Sequence, residues 1–180
     1  MPGTSFFHQA RNNAWSNHRL YGVCQKLTDG ELASKRTPFS TSILETLNHI
    51  LTNDWYYLDA LVDGRRGRAC LDNEMPFGAI DKLAAAQRDA DMRLMAYCEQ
   101  LNDKDAIRAV ELVREDGSKT LETVADILSH LFVYQTHQRG QVHALLAVTG
   151  QAPPILDDYH LEYDAPMPSF DFSALGRKGA

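Results

Sequence analysis

The sequence predicts an all-α protein, an antiparallel four-helix bundle. Three observations carry that expectation. Four long segments repeat apolar residues near a 3.6-residue period, turn or proline signals end them, and only one short stretch alternates like a strand.

The first helical segment runs from roughly Phe6 to Leu27, with Trp15, Leu20, Val23, Cys24 and Leu27 on its apolar side. Thr28-Asp29-Gly30 is expected to end it, glycine taking the left-handed position after the helix. A second segment starts near Ser40 or Thr41, whose hydroxyls can cap the free N–H groups of a first turn. It carries Ile43, Leu47, Ile50, Leu51, Trp55 and Leu58 to about Val62, where Asp63-Gly64 breaks it. The polar, arginine-rich stretch from there to Pro76-Phe77 lacks a period and reads as a loop.

A third helix is expected over roughly Gly78 to Asn102, with Ile80, Leu83, Ala84, Met92, Leu94, Met95 and Cys98 facing inward. Next, Ala109 to Val113 alternates, Asp116-Gly117 is a tight-turn dipeptide, and Lys119 to Thr123 can pair back, which predicts a small β-hairpin. The fourth helix is expected from about Leu121 to Thr149; Gly150 and then Pro153-Pro154 stop it, since proline supplies no helix N–H. The reading is one domain over 1–180, with 153–180 as a C-terminal tail laid across the bundle by its aromatics.

A hydrophobic fraction of 44% and a charged fraction of 23% are those of a globular protein. A net charge of −6 repels phosphate backbones, so no nucleic-acid partner is expected, and the tight cluster Arg65, Arg66, Arg68 reads as a solvated loop. No segment approaches the ~20 apolar residues that span a bilayer, so no membrane partner is expected. Cys24, Cys70 and Cys98 are scattered without CxxC spacing, and Met1 to Ala10 has no export signature. Both fit a reducing cytoplasm.

Candidate chemistry concentrates on two helix faces. On the last helix, His130, Tyr134, His137 or Gln138, and Gln141 form one stripe, because residues three and four apart share a face. On the second, Glu45, His49, Asn53 and Tyr56 recur at the same spacing, with Glu45 one turn before His49 and able to orient its imidazole. These nine residues are the expected pocket. Arg139 reads as a cap or an ion-pair partner, and Gly140 as a point of close helix approach.

Thr46-Leu47-Asn48-His49-Ile50-Leu51, followed by Asp54 and Trp55, resembles the second-helix signature of the DinB-like family. The run from His130 through Tyr134, His137, Gln138 and Arg139-Gly140-Gln141 to His143 resembles that family's last-helix signature. The stretch from Asn12 to Leu20 around Trp15, and Pro153 to Asp157, add to the likeness, which covers nearly the whole chain. The resemblance implies a four-helix bundle, commonly a homodimer, with three histidines holding zinc, nickel or another divalent ion.

In this sequence the implied ligand positions fall at His49, Tyr134 and Gln138, and only the first is a histidine. A carboxamide is a weak ligand, and a phenol must lose a proton near pKa 10. His137 is turned about 100° from Gln138 around the helix. The expectation is therefore a degenerate site with no metal or a weakly held zinc or nickel ion, beside a pocket for a small molecule. The alternative is a divalent-metal-dependent thiol transferase or hydrolase acting on small electrophiles. A third reading makes the chain a stress-linked dimer whose helices are chiefly an interface.

Overall fold

In the computed structural model, which describes residues 2–36 and 41–160, four long helices pack as a bundle. They are α1 (Pro2–Cys24), α3 (Ile43–Leu61), α4 (Ile80–Gln100) and α6 (Val124–Leu146). Two short helices, α2 (Asp29–Ala33) and α5 (Asp103–Ala106), follow α1 and α4. The expected hairpin forms: β1 (Ala109–Val113) pairs antiparallel with β2 (Lys119–Thr123), Val110 opposite Glu122 and Leu112 opposite Thr120. Gly117 takes a φ of 81° in its turn, a value glycine reaches without steric cost.

Around the bundle the long helices run α1, α4, α3, α6, each packed on the next and α6 returning to α1. Trp15, Leu20, Leu47, Leu51, Leu58, Leu83, Leu94, Leu128, Leu131 and Val142 are buried between them. On the first three of these helices they are positions the 3.6-residue periodicity marks, and Leu128, Leu131 and Val142 of α6 complete the shared core.

Several local expectations are corrected. Thr28-Asp29-Gly30 does not end the helix through a left-handed glycine; Thr28 instead starts α2. Its hydroxyl accepts from Glu31 N, and Glu31 accepts from Thr28 N in return, a capping box that satisfies two free donors. Ser42, not Thr41, caps α3, because Glu45 three residues on completes the same reciprocal pair; Ser40 lies outside the described residues. The arginine-rich loop contains a 3-10 turn at Gly67–Leu71. Its neighbour Arg66 stacks 5.5 Å over the Trp55 ring, and Asp59 accepts from the backbone N–H of Arg66 and Gly67.

Gly140 is exposed, and a Cβ there would meet nothing within 4 Å, so it marks no close helix contact. The close approach is at Gly3, where a Cβ would collide with the carbonyl oxygen of Leu101 at the end of α4. Beyond α6 the tail crosses the bundle as far as it is described: His143 Nε2 lies 3.1 Å from Pro154 O, and Tyr159 packs 5.2 Å from Trp15. The rest of the expected tail, 161–180, lies outside the described residues. Among the described residues, no helix is long and apolar enough to cross a membrane.

Candidate functional site

The apposition of α3 and α6 brings part of the expected pocket together. Glu45, Thr46 and His49 from α3 face Gln138 and Gln141 from α6 across a groove of about 410 Å3, with Glu74 and Met75 of the intervening loop on its rim. Tyr134 stands beside His49, ring centroids 5.8 Å apart and edge-on. The Tyr134 hydroxyl is buried without a hydrogen-bond partner among the described residues, and burial raises its pKa.

His49 itself is exposed. Glu45 is turned away to Ser42 N (2.7 Å) and Lys35 (3.4 Å), its carboxyl held below the usual range mainly by the Ser42 N–H. Asn53 instead stands by the imidazole, its Nδ2 3.4 Å from His49 Nδ1 and 2.8 Å from His49 O. An amide N–H donated to Nδ1 leaves the ring proton on Nε2.

The other expected residues point elsewhere. His137 faces a second groove of about 450 Å3 on the α1 side of α6, shared with Phe132, Thr136 and His160, and its Nε2 lies 3.0 Å from Gln141 Nε2. One residue along a helix is a turn of about 100°, which puts His137 and Gln138 in different grooves. His130 lies two turns earlier, stacked on Tyr134 (6.3 Å) and edge-on to Tyr57 (5.4 Å) near the hairpin. Tyr56 is buried and donates to Val113 O at 2.8 Å, tying α3 to β1. Among the described residues, no three His, Cys, Asp or Glu side chains converge as a metal site.

Sequence reasoning missed a buried polar layer through the middle of the bundle. Asn13 and Asn17 from α1, Asp54 from α3, Gln87 and Asp91 from α4, and Gln135 and Arg139 from α6 are all at most 5% exposed. Asp91 accepts from Asn13 (3.1 Å), Asn17 (2.9 Å) and Gln87 (3.2 Å). Asp54 accepts from Gln87 (2.6 Å) and Gln135. Arg139 donates to Asn13, to Asn17 (3.3 Å) and to Gln135 (3.3 Å).

The three amides Asn13, Asn17 and Gln135 thus present oxygen to the guanidinium and nitrogen to a carboxylate. Each relays between charges that do not touch. Burial pushes Asp54 up to about 6 and Asp91 well above its ordinary value, with Asp54 adding to the latter. Burial likewise lowers Arg139 to about 10, against the pull of both acids.

These features define a four-helix bundle with a polar middle and a side-chain-lined groove between its second and last long helices. A model described as the DinB family matches residues 1–167, and the chain belongs to that family. Its fold is similar to that of a DinB-like protein from Bacillus cereus, with a TM-score of 0.61 and 19% identity over 78% of this chain and 90% of that one. Likeness at that identity speaks to the fold. No curated protein matches the chain.

Proposed function

We propose that this DinB-family protein works without a tightly held divalent metal and receives a small polar molecule in the His49 groove. The donor set carries the reading. His49 offers one imidazole, Gln138 an amide, and Tyr134 a phenol whose proton burial holds in place. Such a trio does not fit zinc or nickel, which take deprotonated or imidazole ligands in threes and fours. The groove instead offers hydrogen bonds: Nε2–H of His49, the amides of Gln138 and Gln141, and the Glu74 carboxylate. Asn53 beside Nδ1 favours the tautomer with its proton on Nε2, which suits donation to a ligand over general-base duty at that atom.

Elemental analysis of untagged protein, with zinc and nickel titrations by calorimetry, tests this. The expected result is well under one metal per chain and a melting temperature indifferent to chelator. Equimolar metal that disappears in His49→Ala would overturn it, in favour of a metal-dependent thiol transferase or hydrolase. Homodimerisation is proposed on the family resemblance, and a monomeric mass by light scattering removes it.

A further inference from the structure

Across the bundle from the His49 groove, α1 and α4 line a partly open cavity of about 170 Å3. Ala14, Gly22, Ala84, Met92 and Met95 supply its apolar wall. Tyr21, Gln87 and Asp91 also line it, joining it to the buried polar layer. Two of these carry unmet hydrogen-bonding capacity. The Tyr21 hydroxyl and the Gln87 carbonyl oxygen have no partner among the described residues, although the side chains are only 4% and 1% exposed. A buried polar atom left unpaired is costly, and native proteins seldom leave two beside one cavity.

Asp91 is the third acceptor. Its Oδ1 takes three amide N–H groups, whereas Oδ2 has only a 3.2 Å contact from Asn17. Among the described residues the layer holds two acids, Asp54 and Asp91, and one cation, Arg139. What is missing is a compact group with several donors, no acceptor and a positive charge. An ammonium has three such donors.

We propose that this cavity binds a small primary amine in its ammonium form, its head on Tyr21 Oη, Gln87 Oε1 and Asp91 Oδ2 and its apolar body among the alanines and methionines. The size agrees, since an apolar cavity of about 150 Å3 admits a benzene ring. Arg88 also lines the cavity, but it is exposed and its charge is screened by water, while Asp91 is buried. His18 is the remaining ionisable lining residue.

Titration calorimetry of the full chain with benzylamine, benzyl alcohol and toluene tests the assignment. Benzylamine is expected to give saturable one-to-one binding. Benzylamine with Tyr21→Phe is expected to bind about tenfold more weakly, the factor for one lost hydrogen bond, and benzyl alcohol, which lacks two of the three donors and the charge, more weakly still. Gly22→Leu fills the cavity from a position where a Cβ meets nothing within 4 Å, and it replaces a helical glycine with a stronger helix former, so the fold is retained. It is expected to abolish binding, with circular dichroism confirming the helices. No saturable benzylamine binding to the unaltered protein overturns the proposal. So does benzyl alcohol or toluene binding as tightly as the amine, or undiminished amine binding in either folded variant.

Discussion

Replacing Arg139 by methionine removes the one cation, among the described residues, of a layer that holds two buried carboxyl groups. The guanidinium is 5% exposed and donates to Asn13, Asn17 and Gln135, whose other ends serve Asp91 and Asp54. At about pH 8 the variant leaves two facing acids without a counter-charge, and breaking such a buried set costs about 3–5 kcal/mol. At about pH 5, below the value near 6 to which Asp54 is pushed, that acid is protonated in the folded chain. Asp91 is shifted in the same direction, by burial first and then by Asp54. With Asp54 neutral the charge contribution falls, and hydrogen bonds to neutral amides, about 1–2 kcal/mol, make up more of the loss. The penalty should therefore shrink by about 2–3 kcal/mol between the two conditions. Urea unfolding followed by the fluorescence of the fully buried Trp15 measures it. An equal penalty at both pH values, or one below about 1 kcal/mol at pH 8, would refute the reading of Arg139 as the layer's counter-charge.

The unaltered protein has its own pH dependence. Asp54 is raised from 3.8 to about 6, so the folded state binds its proton more tightly than the unfolded chain does. Stability from this group is full below about pH 4 and falls by about 3 kcal/mol as pH rises through 6, which urea midpoints across that range would register. Tyr56→Phe deletes the 2.8 Å bond to Val113 O and should cost about 1 kcal/mol, accompanied by faster amide exchange in the hairpin. Ser42→Ala removes the cap of α3 and should lower stability by about 1 kcal/mol in thermal melts. Cys24 and Cys98 are buried, with thiols pushed up to about 12. Both should resist a thiol reagent at about pH 8 until denaturant is added.

The helices were legible because their apolar stripes keep one period over five or six turns, and the hairpin because alternation and Asp116-Gly117 coincide. Helix starts were less so. A capping box is a reciprocal pair, and Thr41 and Ser42 differ only in which places a glutamate three residues on. In the candidate site, spacing set out the two polar stripes and the family resemblance matched His49 with Tyr134 and Gln138; spacing could not separate His137 from Gln138, since a stripe read at three and four residues admits both.

The polar layer is not apparent when its members are taken singly, Arg139 as a cap or ion-pair partner and Asp54 as part of the second-helix signature. A signal was present. Asp54 falls in phase with Ile50, Leu51, Leu58 and Leu61, and Gln87 and Asp91 in phase with Ala84, Leu94 and Cys98. Asn13 and Asn17 follow Ala10, while Gln135 and Arg139 lie between Leu131 and Val142. Polar side chains on an apolar stripe of every long helix must find one another, because no other partner is within reach. Periodicity shows that they are buried; only the assembled bundle shows which meets which.

That layer also constrains how the chain can change over generations. An apolar contact tolerates a larger or smaller neighbour, but an amide with oxygen toward a guanidinium and nitrogen toward a carboxylate tolerates neither end being altered alone. Asn13, Asn17 and Gln135 each stand in that position. The seven residues are therefore expected to change as a set, and a lineage that discards the arginine should discard an acid with it. Residues from four distant parts of the chain would then covary, while the leucines around them drift independently.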